Sequence, residues 1–169
     1  MASEQVRDNG AQLIIASTRR LAGDQLDPRI KSLNYLNQIM AKMEANIAGA
    51  DEAVMLNQSG FVAEGTADNI FIVTGDTLET PPVTDGALDG ITRGLILEIS
   101  RTLSIPVRER SLTTYDLYIA DECFLTGTGA ELIPVREIAS RQISNTPGPI
   151  YYRIQEQFHN ELQNDSWFD

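Results

Sequence analysis

The chain has 169 residues, of which 42% are apolar and 22% are charged. This length suits one domain that buries roughly two thirds of its unfolded surface, and the composition excludes an intrinsically disordered chain. The 13 basic and 24 acidic residues give a net charge of −11. Because the basic residues form no dense run, binding to a nucleic-acid backbone is not expected.

Predicted elements of the first third follow from the period of the apolar residues. Residues 1–10 are polar and predicted to be flexible, whereas residues 11–17 form an apolar, β-branched run that predicts a strand buried on both faces. A turn-rich connection follows. Residues 32–47 then predict a helix ended by Gly49, with an apolar face at helical spacing. That face consists of Leu33, Leu36, Met40, Met43 and Ile47.

After Gly49 the apolar period shortens and short strands are expected. The predicted elements are hairpins at 53–56 with 61–64 and at 69–73 with 77–80, a helix at 92–103, a strand at 105–110, a helix at 113–119 capped by Thr113 or Thr114, strands at 122–126 and 132–138, and a helix at 150–162. The sequence shows no repeat and no linker. We therefore predict one α+β domain over residues 11–163, followed by a tail at 164–169.

The chain has a single cysteine and a single histidine. One cysteine, Cys123, excludes an intramolecular disulfide and fits a reducing compartment. Its apolar neighbours favour a buried thiol over a reactive one. His159 has no cysteine or carboxylate at a metal-ligand spacing, so no metal site is expected. With no long apolar run and no secretory signal at the start, we expect a cytoplasmic protein that does not cross a membrane.

Lys31 lies in residues 28–37 (PRIKSLNYLN), just ahead of the predicted helix. An amine fixed there, with the phenol of Tyr35 four residues later on the same helix face, can carry an aldehyde cofactor. The amine must lose its proton to react, and burial or a cationic neighbour lowers its pKa. On spacing alone, an exposed capping lysine and a core tyrosine are the simpler interpretations.

Three further patterns bear on chemistry. Glu64 stands in a strand-like stretch, residues 60–71 (GFVAEGTADNIF), where an isolated glutamate is usually solvated. Residues 88–93 (LDGITR) open a helix, whose first amides lack partners and form a phosphate site or an ordinary helix start. Residues 127–130 (GTGA) join two strands, and their glycines permit close backbone approach.

These separated motifs, in this order, resemble the pyridoxal-phosphate-dependent aminotransferases of fold type IV (class IV), and among them the branched-chain and D-amino-acid enzymes. The resemblance extends from about Lys31 to Pro149. It implies the large domain of that fold, an α+β domain with a mixed sheet, or pseudo-barrel, and flanking helices. One departure is Gly129, where many relatives carry alanine or another small residue.

The resemblance also implies residue roles. Lys31 forms a Schiff base with pyridoxal 5′-phosphate and moves a proton, Tyr35 bonds the ring hydroxyl, and Glu64 keeps the ring nitrogen protonated. Arg93 and Glu131 are expected to be structural. The remaining implied contacts are Leu88 with the ring face, Gly90, Ile91, Thr92 and Thr128 with the phosphate, and Thr128, Gly129 and Ala130 with the substrate carboxylate.

For function, the resemblance implies a transaminase that exchanges the amino group between branched-chain amino acids and 2-oxoglutarate. A D-amino-acid transaminase and an aminodeoxychorismate lyase share nearly all of these positions. A non-catalytic cofactor-binding remnant is the alternative of another class. Family members carry a smaller N-terminal domain with a phosphate-binding arginine, which maps onto no part of this sequence. We therefore expect the large domain alone, and a homodimer or higher homo-oligomer at full length.

Overall fold

The computed structural model describes residues 4–127, 129 and 131–163. The helices are α1 (Glu4–Asn9), α2 (Leu36–Ile47), α3 (Ile91–Thr102), α4 (Thr114–Tyr118) and α5 (Pro149–Gln163), with a short 3-10 helix at Val83–Asp85. The strands are β1 (Ala11–Ile15), β2 (Glu52–Leu56), β3 (Val62–Glu64), β4 (Asn69–Thr74), β5 (Thr77–Thr80), β6 (Val107–Glu109), β7 (Glu122–Gly127), β8 (Glu131–Ile138) and β9 (Arg141–Gln142).

The described strands form one mixed sheet in the order β3-β2-β1-β8-β7-β4-β5-β6, and β9 pairs with β8. Strand β1 lies between β2 and β8 and is parallel to both. The β4–β7 and β7–β8 pairs are antiparallel. A mixed sheet with flanking helices is the α+β architecture that the sequence predicts. Within the described residues no helix has the length and apolar character needed to cross a bilayer.

Both faces of the central strands are buried. Ile70 and Leu125 belong to one apolar cluster, whereas their chain neighbours Phe71 and Phe124 belong to another, beneath α3 and α5. Because successive strand residues point to opposite faces, such strands read as continuous apolar runs. The stacked rings of Phe71 and Phe124 lie 5.3 Å apart. Each fully buried side chain of this size contributes roughly 1.5–3 kcal/mol, so the clusters fix the sheet that carries the site.

Most of the locally encoded elements are confirmed. The β2–β3 and β4–β5 hairpins form in the expected places, and the second turns at Gly75 with φ of +59°. Helix α3 occupies the predicted position. Thr113 caps α4 through a reciprocal pair of hydrogen bonds with Asp116, which is the capping box. Cys123 is buried in the first apolar cluster, as expected.

Helix α2 departs from the prediction in two ways. It begins at Leu36, so residues 32–35 form a bend rather than its first turn. Its predicted apolar face is also not buried, because Ala41 and Ala45 pack against the sheet instead. Alanines let the helix approach β2 closely, and the larger apolar side chains point away. The exposed ones are Leu33, Leu36, Met40, Met43 and Ile47.

The start of the chain also differs from the prediction of a flexible segment. Residues 4–9 form α1, and Val6 packs against the first apolar cluster. The amide of Gly10 donates to the carbonyl of Val6 at 3.0 Å, and Gly10 has φ of +82°. One apolar side chain and one helix-ending glycine are too weak a pattern to predict a six-residue helix. The predicted tail at 164–169 lies outside the described residues.

Candidate active site

Four of the predicted site residues, far apart in the sequence, line one hollow. They are Lys31, Tyr35, Glu64 and Leu88, and they come from the bend before α2, the end of β3 and the loop before α3. The hollow is small, about 50 Å³. It adjoins an open cleft of about 730 Å³ that shares part of its lining. The shared residues are Lys31, Tyr35, Gln38, Thr66 and Ala67.

Lys31 and Tyr35 meet at this hollow without sharing a helix face. Both precede the first residue of α2, and Tyr35 is its N-cap. Both residues line the hollow, but they do so from the bend before α2 and not, as predicted, from one helix face. The Lys31 side chain is exposed to the cleft, which leaves its amine open to a ligand.

Glu64 is the buried acid of the hollow, with 4% of its surface exposed. Its Oε1 lies 2.6 Å from Arg20 Nη2, and its Oε2 accepts hydrogen bonds from the Leu88 amide at 2.8 Å and Asn69 Nδ2 at 3.2 Å. Burial raises the pKa of Glu64 to about 7, against the opposing charges of Arg20 and Lys31. A carboxylate held this way sits close to its titration point near neutral pH.

Asn69 is a site residue that the sequence interpretation missed. Its Nδ2 donates to Glu64 Oε2 and also, at 2.9 Å, to the carbonyl of Leu88. Its Oδ1 would lie 2.4 Å from a Cβ placed on Gly90, so only glycine fits there. Asn69 therefore ties the acid to the loop before α3. Its signal was an asparagine opening the otherwise apolar strand β4, where this residue type is unfavourable.

The N-terminus of α3 lies beside the hollow rather than on its wall. Gly90 is the N-cap and provides no side-chain cap, so the first amides of the helix remain available to an anion. Ile91 is exposed and Thr92 is buried. Within the described part of the chain, these three residues line neither of the two cavities. They adjoin the hollow through Leu88 and Asn69.

Arg93 is placed as a structural residue. It is 3% exposed, and its Nη2 donates to the carbonyl of Pro81 at 3.0 Å and pairs with Glu109 Oε2 at 2.6 Å. Both partners lie away from the lining of the hollow. Arg93 thus anchors the start of α3 to β6 and the loop after β5.

The predicted substrate loop borders the open cleft. Gly127 and Gly129 line it, whereas Thr128 and Ala130 lie outside the described residues. A Cβ on Gly127 would lie 2.3 Å from Asp68 Oδ1, so a larger residue there would require the Asp68 side chain to move. Burial raises the pKa of Asp68 to about 6, and the charge of Glu52 adds to the shift.

Glu131, predicted to be structural, begins β8 with φ of +57°. Its Oε2 lies 3.5 Å from His159 Nε2, and both side chains are about half exposed. Neither residue lines the described cavities. This pair links the start of β8 to α5 and plays no part in the hollow.

The chemistry of the hollow fits a phosphorylated aromatic aldehyde. An amine, a phenol and a buried carboxylate match an aldehyde, a ring hydroxyl and a ring nitrogen, and an uncapped helix N-terminus lies beside them. Two buried amide oxygens on the wall, Asn37 Oδ1 and Gln38 Oε1, have no hydrogen-bond partner among the described residues. Buried polar atoms without partners are uncommon in a site that is complete without a ligand.

Comparison with known proteins agrees with this geometry. The family model for amino-transferase class IV matches residues 1–138. A curated relative from Methanocaldococcus jannaschii is 50% identical over 152 residues, which are 89% of this chain and 53% of that protein. The chain spans about half the length of the curated relatives it matches.

Two solved structures show the same fold. One is the branched-chain aminotransferase from Thermoproteus uzoniensis with norvaline, with a TM-score of 0.89 and 42% identity over 93% of this chain and 52% of that one. The other is the holo, PLP form of the branched-chain amino acid aminotransferase from Thermobaculum terrenum, with a TM-score of 0.92 and 34% identity over 98% of this chain and 55% of that one. This chain belongs to the class IV aminotransferase family.

Proposed function

We propose that this chain is the cofactor-binding domain of a pyridoxal-phosphate-dependent aminotransferase that exchanges the amino group between branched-chain aliphatic amino acids and 2-oxoglutarate. The observation that carries the proposal is the convergence of Lys31, Tyr35, Glu64 and Leu88 on one hollow. The names of the two structural neighbours, one with norvaline and one in the PLP form, support the substrate class and the cofactor.

Each residue has one task in this proposal. Lys31 Nζ would hold the cofactor at its aldehyde carbon, and the free amine would carry a proton to and from the substrate α-carbon. The Tyr35 hydroxyl donates to the ring hydroxyl oxygen, and Glu64 holds a proton on the ring nitrogen. When bound, pyridoxal phosphate supplies an electron sink for the electron pair left at the α-carbon. Leu88 covers one face of the ring.

The remaining predicted residues hold the charged ends of the two ligands. The amides at Gly90, Ile91 and Thr92, together with Thr128, bind the phosphate. Thr128 with Gly129 and Ala130 binds the substrate carboxylate. Both loops lie next to the hollow or the adjoining cleft in the part of the chain that the structure describes.

The same proposal includes a homodimer or larger homo-oligomer of the full-length, cytoplasmic enzyme. The apolar stripe of α2 supports it, because Leu36, Met40, Met43 and Ile47 are each more than half exposed. A contiguous apolar surface of this kind usually marks a contact with another domain or subunit. Size-exclusion chromatography of a full-length relative tests it, with lysines introduced at the two positions that correspond to Met40 and Met43. An unchanged elution volume would contradict it.

A cofactor-fixing experiment tests the proposal. The purified chain is mixed with pyridoxal phosphate, reduced with borohydride, digested and mapped by mass spectrometry. The cofactor is expected on Lys31. Lys42→Ala is the matched control, because Lys42 lines only the larger cleft and is paired with Glu52 at 2.9 Å. Label on Lys42, or no label at all, would favour a non-catalytic remnant.

Substrate comparison separates the activities that share these residues. The 2-oxo acid formed in one turnover is measured with L-leucine, with D-alanine and with aminodeoxychorismate. The proposal predicts product from L-leucine alone. Product from D-alanine would assign a D-amino-acid transaminase, and pyruvate from aminodeoxychorismate would assign the lyase.

A further inference from the structure

Arg20 is a buried arginine in direct contact with the acid of the hollow. It is 5% exposed, and its Nη2 lies 2.6 Å from Glu64 Oε1. Its Nε donates to the carbonyl of Gly86 at 3.0 Å. Arg20 also lines the hollow together with Lys31. A buried cation in this position affects the charge of Glu64 directly, and therefore any ligand that Glu64 binds.

The position of Arg20 is set by the fold rather than by its acid partner. Its amide donates to the carbonyl of Leu56 at 2.9 Å, and its carbonyl accepts from Gln58 Nε2 at 3.0 Å, so both backbone groups are tied to the β2–β3 hairpin. Gly86 has φ of +104°, and a Cβ there would lie 3.2 Å from Arg20 Cγ. The Arg20 side chain is therefore confined between its backbone contacts and Gly86 where it extends toward Glu64.

A count of acceptor sites shows what Arg20 leaves open on Glu64. A carboxylate offers about four acceptor sites, two on each oxygen. On Oε2, the Leu88 amide and Asn69 Nδ2 occupy both. On Oε1, Arg20 Nη2 occupies one. A single acceptor site remains, and it lies on the oxygen that Arg20 holds.

We propose that Arg20 is a positioning residue, which favours the charged form of the Glu64 carboxylate and sets the direction of Oε1, so that Oε1 accepts the hydrogen bond of a protonated ring nitrogen. This inference rests on the proposed function. Without a cation beside it, a buried carboxyl group retains its own proton at neutral pH. It then offers the ring nitrogen no negative charge.

The charges that face Glu64 come from three segments. Arg20 follows β1, Lys31 precedes α2, and Asp68 lies in the turn between β3 and β4. Burial raises the pKa of Glu64, the charge of Arg20 is the largest influence in the opposite direction, and Lys31 adds to it while Asp68 opposes it. Among these, Arg20 alone makes an ion pair with the carboxylate in the described structure.

The affinities for two ligands distinguish this positioning role from a general contribution of Arg20 to the stability of the fold. Pyridoxal phosphate and its 1-deaza analogue, which has a carbon in place of the ring nitrogen, are titrated into the chain and into Arg20→Met. The variant is expected to lose affinity for pyridoxal phosphate by about tenfold or more, the effect of a charge-assisted hydrogen bond, and much less for the analogue. Equal losses for the two ligands would overturn the proposal.

Arg93→Met is the matched control for that titration. Arg93 is as buried as Arg20 and also pairs with a glutamate at 2.6 Å, but it does not line the hollow. Its loss is expected to lower stability while leaving the ratio of the two affinities unchanged. A change of that ratio equal to the one in Arg20→Met would count against a specific role for Arg20.

A second measurement needs no cofactor. The Glu64 carboxyl carbon is followed by NMR through a pH titration of the chain and of Arg20→Met, where its midpoint is expected to rise. An unchanged midpoint contradicts the proposal even if the chain takes up no pyridoxal phosphate, an outcome that would refute the proposed function separately. If Arg20→Met does not fold, Arg20→Lys is used, and a smaller rise is expected because an ammonium lacks the planar fork.

Discussion

Helices α2 and α3 have the same length of 12 residues and are held in different ways. Helix α3 buries Leu95, Ile96 and Ile99 beneath the sheet, whereas α2 buries only Ala41 and Ala45. The helix that follows Lys31 thus contributes little to the apolar core. An apolar stripe on a helix shows that a surface becomes buried somewhere, but not that the helix buries it within its own domain.

Polar contacts replace the missing apolar ones on α2. Glu44 accepts four hydrogen bonds, from the amides and the hydroxyls of Ser17 and Thr18. Asn37 Nδ2 donates to the carbonyl of Arg19 at 2.9 Å. These contacts tie the helix after Lys31 to the segment that carries Arg20. The walls of the hollow are therefore joined by hydrogen bonds, which are directional and sensitive to pH.

The largest expected effect is the loss of amino transfer when Lys31, which precedes α2, is replaced. Lys31→Ala removes the amine that we propose binds the aldehyde, so the 2-oxo acid formed from L-leucine should fall to background. Urea unfolding should be nearly unchanged, because Lys31 is exposed. Amino transfer that survives in this variant would remove Lys31 from its proposed role.

The next effect is a difference in stability between the two helices. Ile96 is a fully buried residue of α3, and Ile96→Ala should cost about 2–5 kcal/mol of unfolding free energy. Met40 is half exposed on α2, and Met40→Ala should change it by less than about 0.5 kcal/mol. Urea midpoints with equal slopes measure both. A large loss at Met40 would show that the apolar stripe of α2 is already covered.

As the pH falls, the contacts that hold α2 should be lost before those that hold α3. The hydroxyl of Thr18 and the other donors lower the pKa of Glu44 to about 2, below its ordinary value of 4.5. A lowered carboxyl pKa adds stability that is present above about pH 4.5 and is lost as the pH falls toward 2. Glu44→Ala should flatten the stability profile in that window, while the same change at the exposed Glu98 of α3 should leave it intact.

The pH dependence that comes from Glu64 has the opposite sign. Burial raises the pKa of Glu64 to about 7 from 4.5, so between these two pH values the folded chain holds a proton that the unfolded chain has lost. Its contribution to stability therefore declines as the pH rises from about 4.5 to about 7. Glu64→Gln should remove this decline from the thermal unfolding profile. A decline of the same size in the variant would assign it to another group.

Much of the fold was predictable because it is encoded locally. Gly75 marks a tight turn, Thr113 and Asp116 form a cap within four residues, and β4 and β7 are continuous apolar runs. The buried face of α2 was not predictable, because it depends on which side chains meet β2. The period of the apolar residues predicts that a helix forms, but it does not predict which face of the helix packs against the sheet.

The residues of the candidate site also divide into those that local sequence predicted and those that it did not. Lys31, Glu64 and Leu88 were found through motifs, and the structure places them together. Arg20 and Asn69 were missed, because each acts through partners distant in the chain, such as Gly86 and Leu88. No local pattern distinguishes an arginine that pairs with a buried acid from one that faces solvent.

A crystal structure of the chain with pyridoxal phosphate would show directly whether Lys31 and Glu64 hold the cofactor. We expect a bond from the aldehyde carbon to Lys31 Nζ, with the ring nitrogen within hydrogen-bond distance of Glu64 Oε1. A cofactor bonded to a different lysine, or a ring lying away from Glu64, would contradict it.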